Sequence, residues 1–202
     1  MPIPDRTTFE SAYAGRAPWD IGAPQPAFIA VADQITGSVL DAGCGTGDNA
    51  LFLAGRGHQV TGIDFLAEPI KRAKQKAAER GLAARFLVMD ALDLKELPEV
   101  FDTVIDSGLF HVFSDEDRRR YVSGLTSVVK PNGRLFLLCF SDEESGEQGP
   151  RRISQRELRE AFSQGWKVES IEPSRIKVRS DLKDITFSEG GPKAWFVVVQ
   201  RT

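Results

Sequence analysis

A chain of 202 residues, 41% hydrophobic and 27% charged, is long enough to bury a substantial core as one soluble domain. Its net charge of -3 gives no general attraction to a phosphate backbone, so nucleic acid is not an expected partner. No apolar run approaches the roughly 20 residues that cross a bilayer, and the N-terminus has no apolar signal core. We expect a cytoplasmic monomer or homodimer without membrane contact.

Cysteine and histidine are too scarce for a metal centre or a disulfide framework. Cys44 and Cys139 are the only cysteines, and neither belongs to a CxxC pair. The only histidines are His58, which we expect at the surface, and His111. We therefore expect no bound metal.

Strand-like and helix-like segments alternate after a lead-in at residues 1–37, in which Pro18, Pro24 and Pro26 interrupt any long helix. The predicted strands are 38–41, 59–64, 84–90, 101–106, 134–140, 166–171 and 193–200. The predicted helices are 49–56, 68–80, 114–129 and 154–162. This alternation predicts an α/β fold, a Rossmann-like doubly wound sheet of mostly parallel strands with helices on both faces.

Acidic side chains mark four of the predicted strand ends. Asp41, Asp64, Asp90 and Asp106 each fall at or near the end of a strand. Ligands of open α/β sheets bind outside the carboxyl ends of the strands. We therefore expect these acids to form one rim around a ligand.

A glycine-rich loop follows the first strand. Gly43, Gly45 and Gly47 alternate there, which permits positive φ angles and close backbone approach to a nucleotide-like cofactor. The spacing does not exclude a dinucleotide. However, Asp41 and Asp48 would repel a pyrophosphate, whereas they would tolerate a cofactor with ammonium and sulfonium groups. This charge pattern favours S-adenosylmethionine over NAD.

The string VLDAGCGTGDNALFLAGRGHQVTGIDFLAEPIKRAK resembles the first motif and second strand of class I S-adenosylmethionine-dependent methyltransferases. The resemblance continues through FLVMDAL, FDTVIDSGLFHVF and VVKPNGRLFLLCF, and so spans residues 38–140. Near the N-terminus, PWDIG with a following PQP resembles the cofactor lid of the thiopurine and thiol/halide methyltransferases. The resemblance implies a seven-stranded sheet with its last strand antiparallel, and S-adenosylhomocysteine as product.

It also implies one domain over residues 1–202. Within it, residues 1–37 form a cofactor lid, residues 38–140 the cofactor-binding core, and residues 141–202 the substrate-side loop and last strands.

The cofactor is expected to contact residues from the lid and from four strand ends. Asp64 suits the ribose hydroxyls, Asp90 suits the adenine amino group, and Trp19 suits a cation–π contact with the sulfonium. Asp41 would orient loop amides or the cofactor ammonium. The full set of predicted cofactor-binding residues is Tyr13, Trp19, Asp41, Gly43, Cys44, Gly45, Asn49, Asp64, Phe65, Asp90, Ala91, Leu92, Asp106 and Ser107.

On the acceptor side, His111 is a candidate general base, or else a ring that packs on the cofactor without proton transfer. Arg151 and Arg152 are candidates for recognising an anionic acceptor, or else belong to a solvated loop. The thiopurine group carries a Gly-Pro-Pro-Phe string at this loop, and in this chain Arg151 and Arg152 replace its Pro-Phe pair. Arg118 to Arg120 are interpreted as one solvated helix face.

These features predict an enzyme that methylates a small molecule, and the scarcity of bases favours a thiol or another soft nucleophile. A small-molecule O- or N-methyltransferase with His111 as base is the alternative. Two other classes stay open, an NAD-dependent oxidoreductase and a cofactor-binding protein without catalysis. A nucleic-acid methyltransferase is disfavoured, because the fourth strand ends in DSGL and lacks the Asn/Asp-Pro-Pro-aromatic string that holds a flipped base.

Overall fold

A seven-stranded mixed sheet forms the centre of the molecule. The computed structural model describes residues 4–146, 148–182 and 187–202. The strands are β1 (Val39–Ala42), β2 (Val60–Asp64), β3 (Arg85–Val88), β4 (Phe101–Ser107), β5 (Val129–Phe140), β6 (Trp166–Arg175) and β7 (Lys193–Arg201). Their order in the sheet is β3-β2-β1-β4-β5-β7-β6, and β7 runs antiparallel to both of its neighbours. The predicted doubly wound sheet and its antiparallel last strand are confirmed.

In the part of the chain that the structure describes, six α-helices and three short 3₁₀ helices surround the sheet. The α-helices are α1 (Arg6–Ala14), α2 (Pro26–Ala30), α3 (Asp48–Gly55), α4 (Ala67–Arg80), α5 (Asp115–Val128) and α6 (Gln155–Ala161). The 3₁₀ helices are Ala32–Gln34, Ala91–Glu96 and Phe110–Val112. Among the described residues, no helix combines the length and apolar character that a membrane crossing needs.

The inner strands β1, β4 and β7 are mostly buried, because helices cover both faces of the sheet there. In β5, Leu135, Leu137 and Cys139 point into the core beneath α5 and α6, whereas Phe136, Leu138 and Phe140 point into the core beneath α2, α3 and α4. This two-sided burial fixes the register of the strands, and with it the edge at which their carboxyl ends meet.

Local signals set the helix ends. Ser114 accepts a hydrogen bond from the Asp117 amide at the start of α5. Ser154 and Glu157 form a reciprocal capping box at the start of α6. Gly81, with φ of 62°, ends α4 in the left-handed conformation.

The structure adds two helices to the lead-in and corrects one expectation about α5. The prolines predicted only that no long helix forms there; the short helix α1 lies ahead of Pro18 and α2 begins at Pro26. Arg118 does not belong to a solvated face, because it is 6% exposed and its guanidinium lies 5.1 Å from the Phe110 ring centroid.

Candidate active site

The glycine loop after β1 is tightly packed on both sides. Gly45 has φ of 53°, and a Cβ there would lie 2.7 Å from the Tyr13 hydroxyl oxygen. Gly47 has φ of 81°, and a Cβ there would lie 2.9 Å from the Cβ of Ala73. Both positions therefore require glycine for conformation and for space.

Asp64 ends β2 and holds the loop in place. Its Oδ2 accepts a hydrogen bond of 3.1 Å from the Gly45 amide, and its Oδ1 accepts one of 3.0 Å from the Leu66 amide. Burial raises the pKa of this carboxyl, and the two amides oppose that rise. Asp64 thus joins the carboxyl end of β2 to the glycine loop beside it.

Asp41 is a buried carboxyl without a hydrogen-bond partner among the described residues. It is 1% exposed, and both of its oxygens are shielded from solvent. Burial raises its pKa to about 8; the Ala50 amide opposes this rise without reaching hydrogen-bond geometry, and Asp106 and Asp64 add to it. A cation placed beside Asp41 would relieve this arrangement, so the site fits the ammonium of S-adenosylmethionine.

The N-terminal segment lies over the loop as a small aromatic cluster. The indole Nε1 of Trp19 donates a 3.0 Å hydrogen bond to the Tyr13 hydroxyl, and the two rings meet edge to face. Phe9 contacts both Trp19 and Phe65 in the same manner. Tyr13 is buried, whereas Trp19 remains 40% exposed. The predicted lid residues therefore meet each other above the loop.

Charged contacts tie this segment to the loop. Lys76 of α4 contacts Asp48 at 2.7 Å and the Thr46 hydroxyl at 2.8 Å, and that hydroxyl donates to Asp20 at 3.1 Å. Arg80 lies 3.3 Å from the second oxygen of Asp48. Because two cations compensate Asp48, its predicted repulsion of a pyrophosphate does not hold.

Gln25 forms a second link between the N-terminal segment and the rest of the molecule. Its backbone amide donates a 2.9 Å hydrogen bond to Asn49 Oδ1 at the start of α3. Its side chain exchanges two hydrogen bonds with the backbone of Lys177, at 2.8 and 2.9 Å. Asn49, predicted to contact the cofactor, thus also anchors the lid segment.

The neighbouring strand ends carry the other predicted cofactor residues. Asp90 is exposed beyond β3, and its Oδ1 accepts a 2.9 Å hydrogen bond from the Leu92 amide. Ala91 is buried and Leu92 half-buried beside it. Cys44 is half-buried in the loop, and its Sγ would lie 2.9 Å from a Cβ at Gly62.

At the end of β4, both carboxylate oxygens of Asp106 accept hydrogen bonds from other residues of the chain. Asp106 accepts hydrogen bonds from the Leu109 amide at 2.8 Å, the Phe110 amide at 3.1 Å and the Tyr121 hydroxyl at 3.0 Å. Burial raises its pKa to about 7. Asp106 therefore shapes the turn after β4 that brings Leu109 against Gly43, while Ser107 next to it is half-buried.

His111 follows this turn with one ring nitrogen occupied. The Phe140 amide donates a 3.0 Å hydrogen bond to His111 Nδ1, and the two rings meet edge to face at 5.1 Å. Burial and the charges of Arg152 and Arg118 lower its pKa to about 3. This geometry disfavours the general-base role, because the Nδ1 lone pair is used and the imidazolium is destabilised.

The two candidate substrate arginines have partners within the chain. Arg151 forms ion pairs of 2.6 Å with both Asp115 and Glu157. Arg152 donates to backbone carbonyls of the loop before it, and its guanidinium lies 5.0 Å from the Phe140 ring centroid. These contacts favour a structural role for the pair over recognition of an anionic acceptor.

Sequence reasoning missed Thr46, Lys76 and Gln25. Thr46 lies inside the glycine loop, where its position alone could have marked it. Lys76 lies among good helix formers, and Gln25 lies between two prolines, so neither carries a local signal. Their roles depend on contacts with Asp48, 28 residues before Lys76, and with Lys177, 152 residues after Gln25.

Several proteins similar to this chain in sequence or fold are named methyltransferases. A family model described as "Methyltransferase domain" matches residues 39–133. The chain is 38% identical over 196 residues to the 2-heptyl-1-hydroxyquinolin-4(1H)-one methyltransferase of Mycobacteroides abscessus, covering 91% of this chain and 85% of that one. It is 26% identical over 174 residues to the probable thiol methyltransferase 2 of Arabidopsis thaliana, covering 84% and 77%.

A solved structure described as "Conversion of a Disulfide Bond into a Thioacetal Group during Echinomycin Biosynthesis" superposes with a TM-score of 0.85 at 39% identity. The match covers 98% of this chain and 93% of that one. Other structures with this fold contain S-adenosylmethionine or S-adenosylhomocysteine.

The sheet order, the glycine loop and the acids at the strand ends define a class I methyltransferase fold. The chain belongs to the S-adenosylmethionine-dependent methyltransferase family, as the sequence resemblance predicts. It is an enzyme that methylates a small molecule with S-adenosylmethionine as cofactor. The NAD-dependent oxidoreductase and the non-catalytic binding protein are thereby set aside.

Proposed function

We propose that the methyl acceptor is a small ring-containing molecule whose acidic S–H or O–H group reacts as its anion. The carrying observation is that the Phe140 amide occupies Nδ1 of His111, the one histidine at this edge. The Asp106 carboxylate already accepts hydrogen bonds from three donors of the chain, and both oxygens of Asp41 are shielded from solvent. An acceptor that ionises in water needs no base from the protein.

Aromatic side chains favour a planar acceptor. Phe140 lies between His111 and Phe187, with ring centroids 5.1 and 5.7 Å apart, at the end of β5. Planar rings bind well against such edges and faces. The relatives support this class, since one is named for a hydroxyquinolone and another for a thiol, and the echinomycin structure concerns disulfide sulfur.

We propose that the chain's own residues divide the remaining work. S-adenosylmethionine supplies an activated methyl group on a sulfonium. Asp64 would bind the ribose, Asp41 the ammonium, and Asp90 the adenine amino group, while Trp19 and Tyr13 exclude water above the methyl group. The protein then contributes mainly alignment and desolvation.

The test measures S-adenosylhomocysteine release against a graded set of acceptors. The set holds an aromatic thiol, an N-hydroxy heteroaromatic, a weakly acidic phenol, an aliphatic thiol and a primary amine. We expect turnover with the first two, and a loss of kcat/KM as acceptor pKa rises. Preferential methylation of the amine would overturn the proposal. Asp64→Asn, which keeps the side-chain volume, is the control for cofactor-dependent turnover.

We also propose that the enzyme acts in the cytoplasm as a monomer or homodimer, with residues 1–37 as lid, 38–140 as cofactor core and 141–202 as acceptor side. The contacts of Trp19, Asp20 and Gln25 with residues around the glycine loop and β6 support this division. Light scattering of the purified chain would contradict the assembly proposal if it gave a larger oligomer.

A further inference from the structure

The ring of His111 has a fixed tautomer. A backbone N–H can only donate, so the 3.0 Å contact from the Phe140 amide requires a lone pair on Nδ1. The neutral ring then carries its proton on Nε2. The edge-to-face packing of this ring on the Phe140 ring holds the two side chains in this relative position.

The Nε2 nitrogen stays available to a ligand. Among the described residues, Nε2 makes no hydrogen bond, and His111 as a whole is 6% exposed. This nitrogen lies 3.5 Å from the Cβ position of Gly108, in the turn that packs against the glycine loop.

The charges around the ring oppose its protonation. Arg118 of α5 and Arg152 of the loop before α6 are the charged groups that act on it, and both are cations. They leave the acceptor side beside His111 positive, although their carboxylate partners Glu157 and Glu144 moderate that charge. A neutral N–H donor with cations behind it suits an anion.

We propose that His111 binds the ionised acceptor through Nε2–H, so that the enzyme selects a thiolate or oxyanion over its protonated form. This inference rests on the proposed function, because it assumes an acidic acceptor. The acceptor loses its proton to solvent, and its anion attacks the methyl carbon. The carbon–sulfur bond breaks and its electron pair stays on the sulfur of the product.

The experiment uses 4-nitrothiophenol, whose ionised form absorbs visible light, as a probe on the enzyme loaded with S-adenosylhomocysteine. A pH titration gives the probe's pKa when bound, without any turnover. We expect this pKa to lie below the value in free solution, and His111→Asn to return it toward that value. The lost hydrogen bond to a charged group should weaken binding of the anion by about 10-fold or more.

Matched variants separate this role from a structural one. His111→Asn can still accept from the Phe140 amide but lacks a donor at the Nε2 position, whereas His111→Gln can place an amide N–H there. We expect Gln to retain part of the pKa shift and Asn to lose it, with unchanged affinity for S-adenosylhomocysteine in both.

An unshifted probe pKa in the wild-type enzyme would overturn the inference, and so would an equal shift in His111→Asn. Either result leaves the proposed function standing if acidic acceptors are methylated. Conversely, a panel without turnover on acidic acceptors refutes the proposed function whatever the probe shows.

Discussion

Asp41 is a buried carboxyl without a hydrogen-bond partner among the described residues. A carboxyl with a pKa of about 8 is mostly protonated at neutral pH. If the proposed contact with an ammonium group forms, the carboxyl must ionise, because only the carboxylate gains the charge interaction.

We therefore predict that S-adenosylmethionine binding releases a proton near pH 7, and that the affinity rises with pH up to about 8. Titration calorimetry in buffers of different ionisation enthalpy measures the released proton directly. Asp41→Asn should abolish the release and weaken binding by about tenfold, the equivalent of roughly 1.4 kcal/mol. Proton release that persists in this variant would contradict the assignment.

Position 47 requires glycine both for its backbone conformation and because neighbouring side chains leave no room for a Cβ. Its φ is 81°, and a Cβ there would meet Ala73 at 2.9 Å and Phe86 at 3.0 Å. We predict that Gly47→Ala costs about 1–3 kcal/mol of unfolding free energy, about 2–4 °C in Tm per kcal/mol for a chain of this size. Gly57→Ala is the control, because it has φ of 92° and open space. Equal losses would show that the contacts contribute nothing.

Single residues show where sequence reasoning works and where it fails. The strand-end acids and the alternating glycines were predictable, because chain order alone brings them to one edge of the sheet. The tautomer of His111 was not, since a backbone amide 29 residues later sets it. The preference for S-adenosylmethionine over NAD was confirmed, but the charge argument from Asp48 was wrong, because Lys76 and Arg80 neutralise that residue.

Among the elements, α1 and α2 were missed for a physical reason. Prolines exclude a long helix, yet a helix of nine residues fits ahead of Pro18 and one of five begins at Pro26. Asp5 caps α1 by accepting a 2.9 Å hydrogen bond from the Thr8 amide. Such short helices depend on tertiary contacts more than on their own propensity.

The N-terminal segment proposed as a lid is linked to α4 through Lys76, which contacts Asp48 and the Thr46 hydroxyl that donates to Asp20. We predict that Lys76→Met loosens the segment, so that trypsin cleaves after Arg16 several-fold faster and cofactor affinity falls. Lys74→Met is the control, since Lys74 lies exposed on the same helix. In the wild-type chain, S-adenosylhomocysteine should slow this cleavage. Equal rates in both variants would refute the coupling.

For the whole molecule, periodicity predicted the layers but not every strand direction. Alternating strands and helices require parallel neighbours, which describes β1 to β5. The described residues between β6 and β7 form no helix, and β7 inserts antiparallel between β5 and β6. Hydrophobic patterning carries no strand direction, so only the family resemblance predicted that insertion.

Buried titratable groups also determine how the free energy of unfolding of the whole molecule depends on pH. Asp41 and Asp106 have folded-state pKa values of about 8 and about 7, well above those of an unfolded chain. A carboxyl group with a raised folded-state pKa binds more protons in the folded state than in the unfolded state. The free energy of unfolding therefore falls as pH rises toward that folded-state pKa. His111 acts in the opposite direction, because its pKa of about 3 adds stability as pH rises toward about 6.5.

Above about pH 6.5 the contribution of His111 is complete, and the two buried aspartates then dominate. We predict that the Tm of the cofactor-free enzyme falls between about pH 6.5 and 8, measured by calorimetry. Asp41→Asn should flatten the fall, because it removes one of the two groups. S-adenosylhomocysteine should flatten it as well, since in the proposed complex its ammonium would stabilise the Asp41 carboxylate. A Tm that rises across this window would show that these carboxyl groups do not govern the fold's response to pH.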